Sequence, residues 1–370
     1  MTTQVDTVIV GGGLSGLYAS LLLQRHGAGG HLLLEARDRP GGRILGAGSY
    51  DLGPTWFWPA IQPGLGAIVR DFGLSIIPQH EAGSMMVERS GTPVRMHGYP
   101  SHPESMRLAA GMSGLIDALR ARLDPARIKL GQTVTRLRAT GPAIEVHARD
   151  SEGRPSVFQA SRVLLAVPPR LAQSRIDFDP PLPSALATQW RGTPTWMAPH
   201  AKYLAVYGSA FWREQGMSGA ARSSRGPLAE VHDASTPQGP ALFGFVDVPA
   251  AARRSVGQDV LMAHSRAQLA RLFGPQALKP EREFYKDWSQ DPDTFTAADC
   301  MDGGAHPAAP AVAAETGVWA GRLAGIASEW SAAFPGYLAG AIDAADAGVK
   351  WLLDRAAPTP NAVPPGVPAR

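Results

Sequence analysis

The stretch VIVGGGLSGL, residues 8–17, indicates the fold class of this chain. The apolar residues 8–10 predict a buried strand, and the leucine-rich sequence after Gly16 predicts a helix. The turn between them carries Gly11 and Gly13, in the Gly-x-Gly-x-x-Gly spacing that lets a pyrophosphate approach the backbone at a helix N-terminus. The turn therefore predicts a dinucleotide site, with nicotinamide and flavin dinucleotides both open; the alternative is a glycine turn without a ligand.

A carboxylate follows at the position that such a site requires. HLLLEA, residues 31–36, predicts a second strand, which completes a strand–helix–strand unit over residues 6–36. Glu35 lies 19 residues after Gly16, at the end of this strand, where it can accept both hydroxyl groups of an adenosine ribose. We expect Ser15 at the helix start and Ala36 beside the acid to contact the dinucleotide as well.

The composition excludes several classes of protein. The 370 residues include 35 lysines and arginines against 32 aspartates and glutamates, a net charge of +3, with no block of like charge. This balance predicts no nucleic-acid partner and no membrane-binding arm. The single cysteine, Cys300, excludes an internal disulfide and a multi-cysteine metal site, so we expect no metal. No signal peptide or bilayer-spanning apolar run is visible, which predicts a cytoplasmic protein.

The rest of the chain alternates strands and helices around a long middle region, residues 176–310, that is rich in proline and tryptophan. Apolar periodicity predicts a helix over 113–123, two strands within 133–148, a buried strand over 162–169, a strand over 201–207, a helix over 259–273 and a last apolar block over 317–353 that ends in a helix. The tail, residues 356–370, is proline-rich and predicted to be disordered.

A second glycine pair favours flavin over nicotinamide. EARDRPGGRILG, residues 35–46, places Arg37 and Arg39 beside the adenosine end, then Gly42 in a second close backbone approach, then Arg43 as a cationic fork for phosphates. An acidic residue followed by an arginine and Gly-Gly-Arg resembles the second signature of the flavin-dependent amine oxidase family. For Arg37 and Arg39 the alternative is a solvated position on a surface turn.

The resemblance continues through YDLGPTWFWP, residues 50–59, which is similar to the Asp-Leu-Gly-Gly-Ser-Trp segment of that family. Pro54 replaces one of its glycines. The resemblance implies FAD as the cofactor, with Gly53, Pro54 and Thr55 beside it and Val134 near the adenine.

The resemblance also identifies a candidate catalytic lysine. TWMAPHAKYLAVYGSAFWREQGMSG, residues 195–219, is similar to the family segment that carries the active-site lysine, here Lys202, which in the family bridges through water to the reactive flavin nitrogen. Strand alternation places Lys202 on one face with Leu204 and Val206, opposite Tyr203 and Tyr207. Desolvation on such a face favours the neutral amine. The alternative is a snorkelling lysine on an edge strand.

GRLAGIASEWSAAFPGYLAGA, residues 321–341, resembles the closing motif of the family. The resemblance places Glu329 near the ribityl and pyrophosphate groups and Tyr337 over the flavin face. It places Gly336 and Gly340 on the glycines that let the final helix pack close, and we expect Gly336 and Leu338 to contact the cofactor as well. Ile326 and Ala327 replace the usual Ala-Gly. The alternatives are an N-cap or surface carboxylate for Glu329 and a packing tyrosine for Tyr337.

Two departures concern the reacting end of the site. In mammalian-type monoamine oxidases a cysteine about nine residues after a tryptophan binds the flavin covalently. Trp288 matches that tryptophan, but Cys300 lies three positions too late, so we expect non-covalent FAD. The second aromatic wall of the family's substrate cage is also missing. We expect Trp56, Trp58 or Trp196 to supply a pocket wall in its place.

These resemblances imply an α/β fold with a Rossmann-type FAD-binding domain and an inserted α+β substrate-binding domain, as in monoamine oxidases. We expect the FAD-binding domain to comprise residues 1–75, 110–190 and 295–355, and the substrate domain to comprise residues 76–109 and 191–294.

The implied activity is oxidation of a small amine to an imine and then an aldehyde, with O2 reduced to hydrogen peroxide. The aromatic residues at 56–58 favour an apolar or aromatic primary amine. A flavin dehydrogenase or desaturase, a polyamine oxidase and a non-catalytic flavin-binding protein are the alternatives. The oligomeric state stays open.

Overall fold

The structure is a computed structural model, which describes residues 3–28, 30–301, 306 and 308–356. The predicted tail, residues 356–370, lies outside the described residues except for Ala356, where the last helix ends. The strands are β1 (Thr3–Val10), β2 (His31–Leu34), β3 (Gly46–Ala47), β4 (Tyr50–Asp51), β5 (Ile76–Pro78), β6 (Ser84–Glu88), β7 (Val94–His97), β8 (Met106–Leu108), β9 (Ile128–Lys129), β10 (Thr133–Thr140), β11 (Ala143–Arg149), β12 (Pro155–Leu165), β13 (Asp177–Asp179), β14 (Ala201–Val206), β15 (Met217–Ser223), β16 (Leu228–Asp233), β17 (Ala241–Val246), β18 (Arg282–Asp287) and β19 (Leu323–Gly325). The α-helices are α1 (Leu14–Arg25), α2 (Pro63–Asp71), α3 (Ser113–Arg120), α4 (Pro169–Arg175), α5 (Ser184–Gly192), α6 (Phe211–Glu214), α7 (Ala250–Val256), α8 (Gln258–Phe273) and α9 (Leu338–Ala356).

The glycine turn directly follows β1, an interior strand of the first sheet. Its order is β13-β10-β11-β12-β1-β2-β9, with β19 also paired to β12. Strand β1 runs parallel to β12 and to β2, and both faces of its second half, residues 7–10, are buried, which explains the apolar run over residues 8–10. Ile9 packs into one core with helices α1 and α9, whereas Val8 and Val10 pack into a second core on the opposite face.

The second sheet has the order β18-β14-β17-β16-β15-β6-β7 and is antiparallel except between β15 and β6. Strand β14 lies between β17 and β18, so Lys202 is on an interior strand and the edge-lysine alternative is wrong. The predicted alternation is confirmed, because Leu204 and Val206 join one core cluster and Tyr203 and Tyr207 join another.

The predicted elements are present with shifted ends. Strand β2 ends at Leu34, two residues early, because the Glu35 carboxylate turns back to accept backbone N–H groups. Helix α3 ends at Arg120 instead of residue 123. Strand β12 ends at Leu165, and Pro169 begins helix α4, since proline is tolerated in the first turn of a helix. The strands β15, β16 and β17 were not predicted within the middle region.

Candidate active site

One large cavity brings most of the predicted site residues together. It has about 1480 Å³ of empty space, its open mouth included. Residues that directly follow strands β1, β2 and β12 of the first sheet line it, as do residues of β14 and β17 in the second sheet. The predicted residues that line it are Gly11, Gly13, Ser15, Glu35, Arg37, Gly42, Arg43, Gly53, Pro54, Thr55, Trp56, Trp58, Trp196, Lys202, Trp288, Gly336, Tyr337 and Leu338. An adjoining cavity, which shares Gly11 and Glu35, is lined by Ala36 and Val134. Two predicted residues, Gly16 and Glu329, are not among the described lining residues, but Gly16 packs against Gly11 and Glu329 pairs with Arg43, both of which line the cavity.

Glu35 fixes the glycine turn as well as facing the cavity. Its Oε2 accepts the backbone N–H of Gly12 at 2.6 Å, and its Oε1 accepts that of Arg37 at 2.9 Å. A carboxylate has about four acceptor positions, so capacity remains for ribose hydroxyls. Gly16 is required for packing, because a Cβ there would lie 2.0 Å from the Gly11 carbonyl oxygen. The Ser15 hydroxyl donates to the Ile326 carbonyl and so connects helix α1 to the closing motif.

The second glycine loop rests directly on the first. The Gly41 N–H donates to the Gly12 carbonyl at 2.8 Å, and a Cβ on Gly42 would lie 3.2 Å from the Gly13 Cα. Both Gly41 and Gly42 have positive φ values, 104° and 56°, which glycine adopts without strain. Arg39, predicted beside the adenosine, instead donates to the carbonyl oxygens of Gly42 and Ile44 at 3.0 and 3.2 Å and shapes this loop.

Arg43 and Glu329 form a bidentate ion pair across the cavity wall. Arg43 Nη1 and Nη2 lie 2.6 and 3.1 Å from the two carboxylate oxygens, and Nη2 also donates to the Ser328 hydroxyl at 3.1 Å. Glu329 is fully buried, so its alternative as a surface carboxylate is wrong. The pair fixes the guanidinium of Arg43 at the cavity wall, where an anionic group of a ligand can contact it.

Arg37 joins the adenosine end to the segment after strand β18. Its Nη2 donates to Asp291 Oδ1 at 2.5 Å and to Thr294 Oγ1 at 3.0 Å. Trp288, in the same segment, lines the cavity, and its indole N–H donates to the Leu52 carbonyl at 3.0 Å. The thiol of Cys300 is exposed, and Cys300 is not among the described residues that line the cavity.

Lys202 is buried at the opposite end of the cavity. Its Nζ donates to the carbonyl oxygens of Asp51 and Gly53 at 3.1 and 2.8 Å and to Thr55 Oγ1 at 2.7 Å. The ring of Phe243 lies 4.2 Å from Nζ. Burial lowers the pKa of Lys202 to about 7, because the charged form loses its hydration, while the Asp51 carboxylate opposes this change. Burial therefore favours the neutral amine of Lys202 over its ammonium form.

Aromatic side chains surround the space between Lys202 and Tyr337. Trp196 lies 5.1 Å and Trp58 6.1 Å from the ring of Tyr337. The indole N–H of Trp56 donates to Gln79 Oε1 at 2.7 Å, and that of Trp58 donates to Ser105 Oγ at 2.8 Å. Both indoles are thereby oriented by residues adjoining the small β5–β8 sheet.

Three further residues of the site were not predicted. Phe245 lines the cavity and pairs with Lys202 in the β14–β17 register; its signal in the sequence is the continuous apolar run of strand β17. His306 stacks on Tyr337 at 4.9 Å, and its Nε2 lies 3.1 Å from the tyrosine hydroxyl. Met197 lines the cavity with a φ of 63°, which is uncommon for a residue other than glycine. Nothing in the local sequence marks His306 or Met197.

The chemistry of this cavity fits a flavin dinucleotide. Gly11, Gly13 and Gly42 line the cavity beside the start of α1, where backbone N–H groups and the positive end of the helix dipole can face a pyrophosphate. Arg43 adds a cation there, Glu35 an acceptor for ribose, and the far end is apolar and aromatic, as an isoalloxazine ring requires.

Comparison with known proteins identifies the family. The profile of the family described as "Flavin containing amine oxidoreductase" matches residues 93–347, and that of an "NAD(P)-binding Rossmann-like domain" matches residues 9–72. The chain therefore belongs to the flavin-containing amine oxidoreductase family, and the predicted family and fold class are confirmed.

Individual relatives agree with this membership. A Mycobacterium tuberculosis protein named as a flavin-containing monoamine oxidase, AofH, is 31% identical over 225 residues, which are 58% of this chain and 42% of that protein. Among solved structures, a putrescine oxidase bound to putrescine superposes with a TM-score of 0.77 at 21% identity, covering 96% of this chain and 100% of the other. The cyclohexylamine oxidase of Brevibacterium oxydans gives a TM-score of 0.77 at 17% identity, with 95% and 99% covered.

A helix both long and apolar enough to cross a membrane is absent from the described ranges.

Proposed function

We propose that this protein is an FAD-dependent amine oxidase that converts a small apolar or aromatic primary amine to an imine. Water then hydrolyses the imine to an aldehyde, and O2 accepts the electrons to give hydrogen peroxide. The observation that carries the proposal is the placement of Lys202 and Tyr337 in one aromatic cavity whose other end is built from the two glycine loops.

FAD would be held without a covalent bond. Gly11, Gly13, Ser15 and Gly42 would surround the pyrophosphate, while Glu35 and Ala36 would hold the adenosine ribose. The walls would be completed by Arg37, Arg43, Gly53, Pro54, Thr55, Val134, Trp288, Gly336 and Leu338. Glu329 would hold Arg43 in place, and Gly16 would pack against Gly11. The bound flavin supplies the two-electron oxidation of the amine carbon. The exposed position of Cys300 supports a non-covalent cofactor.

Lys202 would control protons beside the reacting atoms. In its neutral form it donates two hydrogens to the carbonyls of Asp51 and Gly53 and keeps a lone pair. That lone pair can accept a hydrogen from Thr55 or from a water molecule held in the cavity. A water positioned in this way is available both to take up a proton and to hydrolyse the product imine.

Tyr337 and the tryptophans would bind and orient the substrate. Their ring faces attract an ammonium group on entry, and the apolar surroundings then favour the neutral amine, which is the form that can be oxidised. Trp58 and Trp196 flank Tyr337 and replace the absent second wall of the cage. The rings also exclude bulk water from the amine carbon.

The substrate class follows from the charges at the reacting end. The carboxylates among the described cavity-lining residues are Glu35 and Asp293, and both also line the adjoining adenosine cavity. No described lining residue at the Lys202 end offers a carboxylate for the second ammonium of a diamine. We therefore place an apolar monoamine ahead of putrescine, the ligand in the putrescine oxidase structure.

A panel of amines tests this proposal. Peroxide and aldehyde should form with phenethylamine and benzylamine at kcat/KM values at least about tenfold above those for putrescine, spermidine and an L-amino acid, because each poor substrate would bury an unpaired charge. Equal or greater rates with putrescine would overturn the substrate class. Flavin reduction without peroxide would favour the dehydrogenase alternative.

We also propose the division into an FAD-binding domain of residues 1–75, 110–190 and 295–355 and a substrate domain of residues 76–109 and 191–294. The strands of the first sheet lie within the proposed FAD-binding ranges, and those of the second sheet lie within the proposed substrate-domain ranges. This distribution supports the division.

A further inference from the structure

Asp51 lies directly beside the candidate catalytic lysine, and the function proposed above uses its backbone carbonyl but not its carboxylate. It is the last residue of the two-residue strand β4 and is 4% exposed. The Lys202 ammonium contacts its backbone carbonyl at 3.1 Å, and the two other acceptors of Lys202 are also neutral oxygens. The Asp51 side chain therefore provides the negative charge that acts on Lys202 without bonding to it directly.

A structural role explains only one of the two oxygens of this carboxylate. Asp51 Oδ1 accepts the backbone N–H of Met112 at 2.7 Å, at the start of helix α3. Its Oδ2 is buried and has no hydrogen-bond partner among the described residues. An asparagine would serve the same helix end with its amide oxygen, so the structural role does not require a charge. A buried, half-bonded carboxylate is costly, which points to a role for its charge.

Two cations face the Asp51 carboxylate, and they are Lys202 and Arg107. Arg107 is 2% exposed on strand β8, and its guanidinium donates to the carbonyls of Ala234 and Ser235 at 2.9 and 3.1 Å. Its Nε, like Asp51 Oδ2, is buried without a partner among the described residues. The groups that face Lys202 are in turn Asp51 and Arg107, of opposite sign. The three side chains form one buried charge cluster behind the cavity.

We propose that Asp51 is a positioning residue whose negative charge sets the protonation state of Lys202 and thereby the pH range in which amines are oxidised. This inference rests on the function proposed above. Burial raises the pKa of Asp51 to about 6 and lowers that of Lys202 to about 7. Above pH 6 the ionised Asp51 attracts the Lys202 proton, whereas Arg107 repels it. Without the carboxylate, the repulsion from Arg107 is uncompensated.

The Lys202 proton can be observed directly. The chain has five lysines, so NMR of the FAD-loaded protein with selectively 13C-labelled lysine gives five Cε signals. The signal that disappears in K202M belongs to Lys202. In the wild type this signal should titrate near pH 7. In Asp51→Asn, which keeps the acceptor for Met112, the midpoint should fall by about one pH unit or more. Glu88→Gln, a buried carboxylate paired with Arg271, is the matched control and should leave the Lys202 midpoint unchanged.

An unchanged Lys202 midpoint in folded Asp51→Asn would overturn the proposal and leave Asp51 as a helix cap. If that variant does not fold, Arg107→Gln tests the proposal instead. Loss of the cation that repels the Lys202 proton should raise the titration midpoint of Lys202. A midpoint that does not rise would also overturn the proposal.

The rate of flavin reduction gives a second readout. If neutral Lys202 is required, the acid limb of the wild-type pH profile lies near pH 7, and in Asp51→Asn it moves down with the Lys202 midpoint. At pH 6 the variant should retain about fivefold more of its plateau rate than the wild type does. A protein that no amine reduces would refute the proposed function, yet the NMR midpoints would still decide the role of Asp51.

Discussion

The two ends of the cavity are built in different ways. At the dinucleotide end, backbone atoms and fixed ion pairs form the walls: two glycine loops in contact, Glu35 bonded to one of them, and Arg43 locked to Glu329. At the reacting end, side chains form the walls, and Lys202 Nζ donates to neutral oxygens and lies beside the ring of Phe243. A backbone surface tolerates few substitutions, whereas a side-chain surface can change its ligand by single residues. This explains why the two glycine loops keep the family pattern, whereas the second aromatic wall of the substrate cage is replaced.

Substitution of Gly16 should have the largest effect, because it breaks the dinucleotide end. In Gly16→Ala, the new Cβ would lie 2.0 Å from the Gly11 carbonyl oxygen, so the turn must shift and flavin binding should weaken about 100-fold or more. The flavin content of the purified protein, read from its visible spectrum, measures this. Gly64→Ala, with nothing within 4 Å, should stay fully loaded. Full loading of Gly16→Ala would show that the turn does not hold the cofactor.

Lys202→Met should affect the reacting end alone. The variant should bind flavin normally, but its reduction by an amine should slow about 100-fold or more, because proton control beside the amine is lost. Stopped-flow reduction rates measure the loss. Lys279→Met makes the same chemical change at an exposed position and should react at the wild-type rate. If both variants react alike, Lys202 has no catalytic role.

The buried lysine also predicts a pH dependence of stability. Between about pH 7 and 10.5 the unfolded chain holds a proton on Lys202 that the folded chain has released, so the free energy of unfolding should rise with pH. The slope is at most about 1.4 kcal/mol per pH unit. Denaturant unfolding of the wild type and Lys202→Met isolates this group: their difference in unfolding free energy should grow with pH in favour of the wild type. A difference independent of pH would place the lysine proton elsewhere.

The smallest effect should come from a substitution that removes a hydrogen bond to the aromatic wall of the cavity. Ser105→Ala removes the acceptor of the Trp58 indole N–H, 2.8 Å away, and should raise KM for an aromatic amine about two- to threefold at unchanged kcat. Steady-state peroxide production measures both constants. Ser255→Ala, at an exposed serine of α7, should change neither. A fall in kcat instead of a rise in KM would place Trp58 at the reacting atoms.

The sequence predicts where the residues of the glycine-loop end lie, because its signals are local. Gly11, Gly13 and Glu35 lie within one strand–helix–strand unit, and the distance along the chain determines their placement. Lys202 was also predictable, from strand alternation together with the family resemblance.

The remaining features depend on pairing between distant segments. Phe245 reaches Lys202 only through the register of β14 and β17, and Asp51 acts on Lys202 across 151 positions of the chain. The bond between Glu329 and Arg43 spans 286 positions. Local periodicity predicts that a residue is buried, but not which partner it meets.

The most direct test of the account is an anaerobic titration of the purified protein with phenethylamine, recorded through its visible flavin spectrum. We predict a yellow protein that loses its oxidised flavin absorbance as about one amine per flavin is consumed. The absorbance should return when O2 is admitted, with release of hydrogen peroxide. A yellow protein whose spectrum no amine changes would contradict the claim that the two ends of the cavity work together as an amine oxidase.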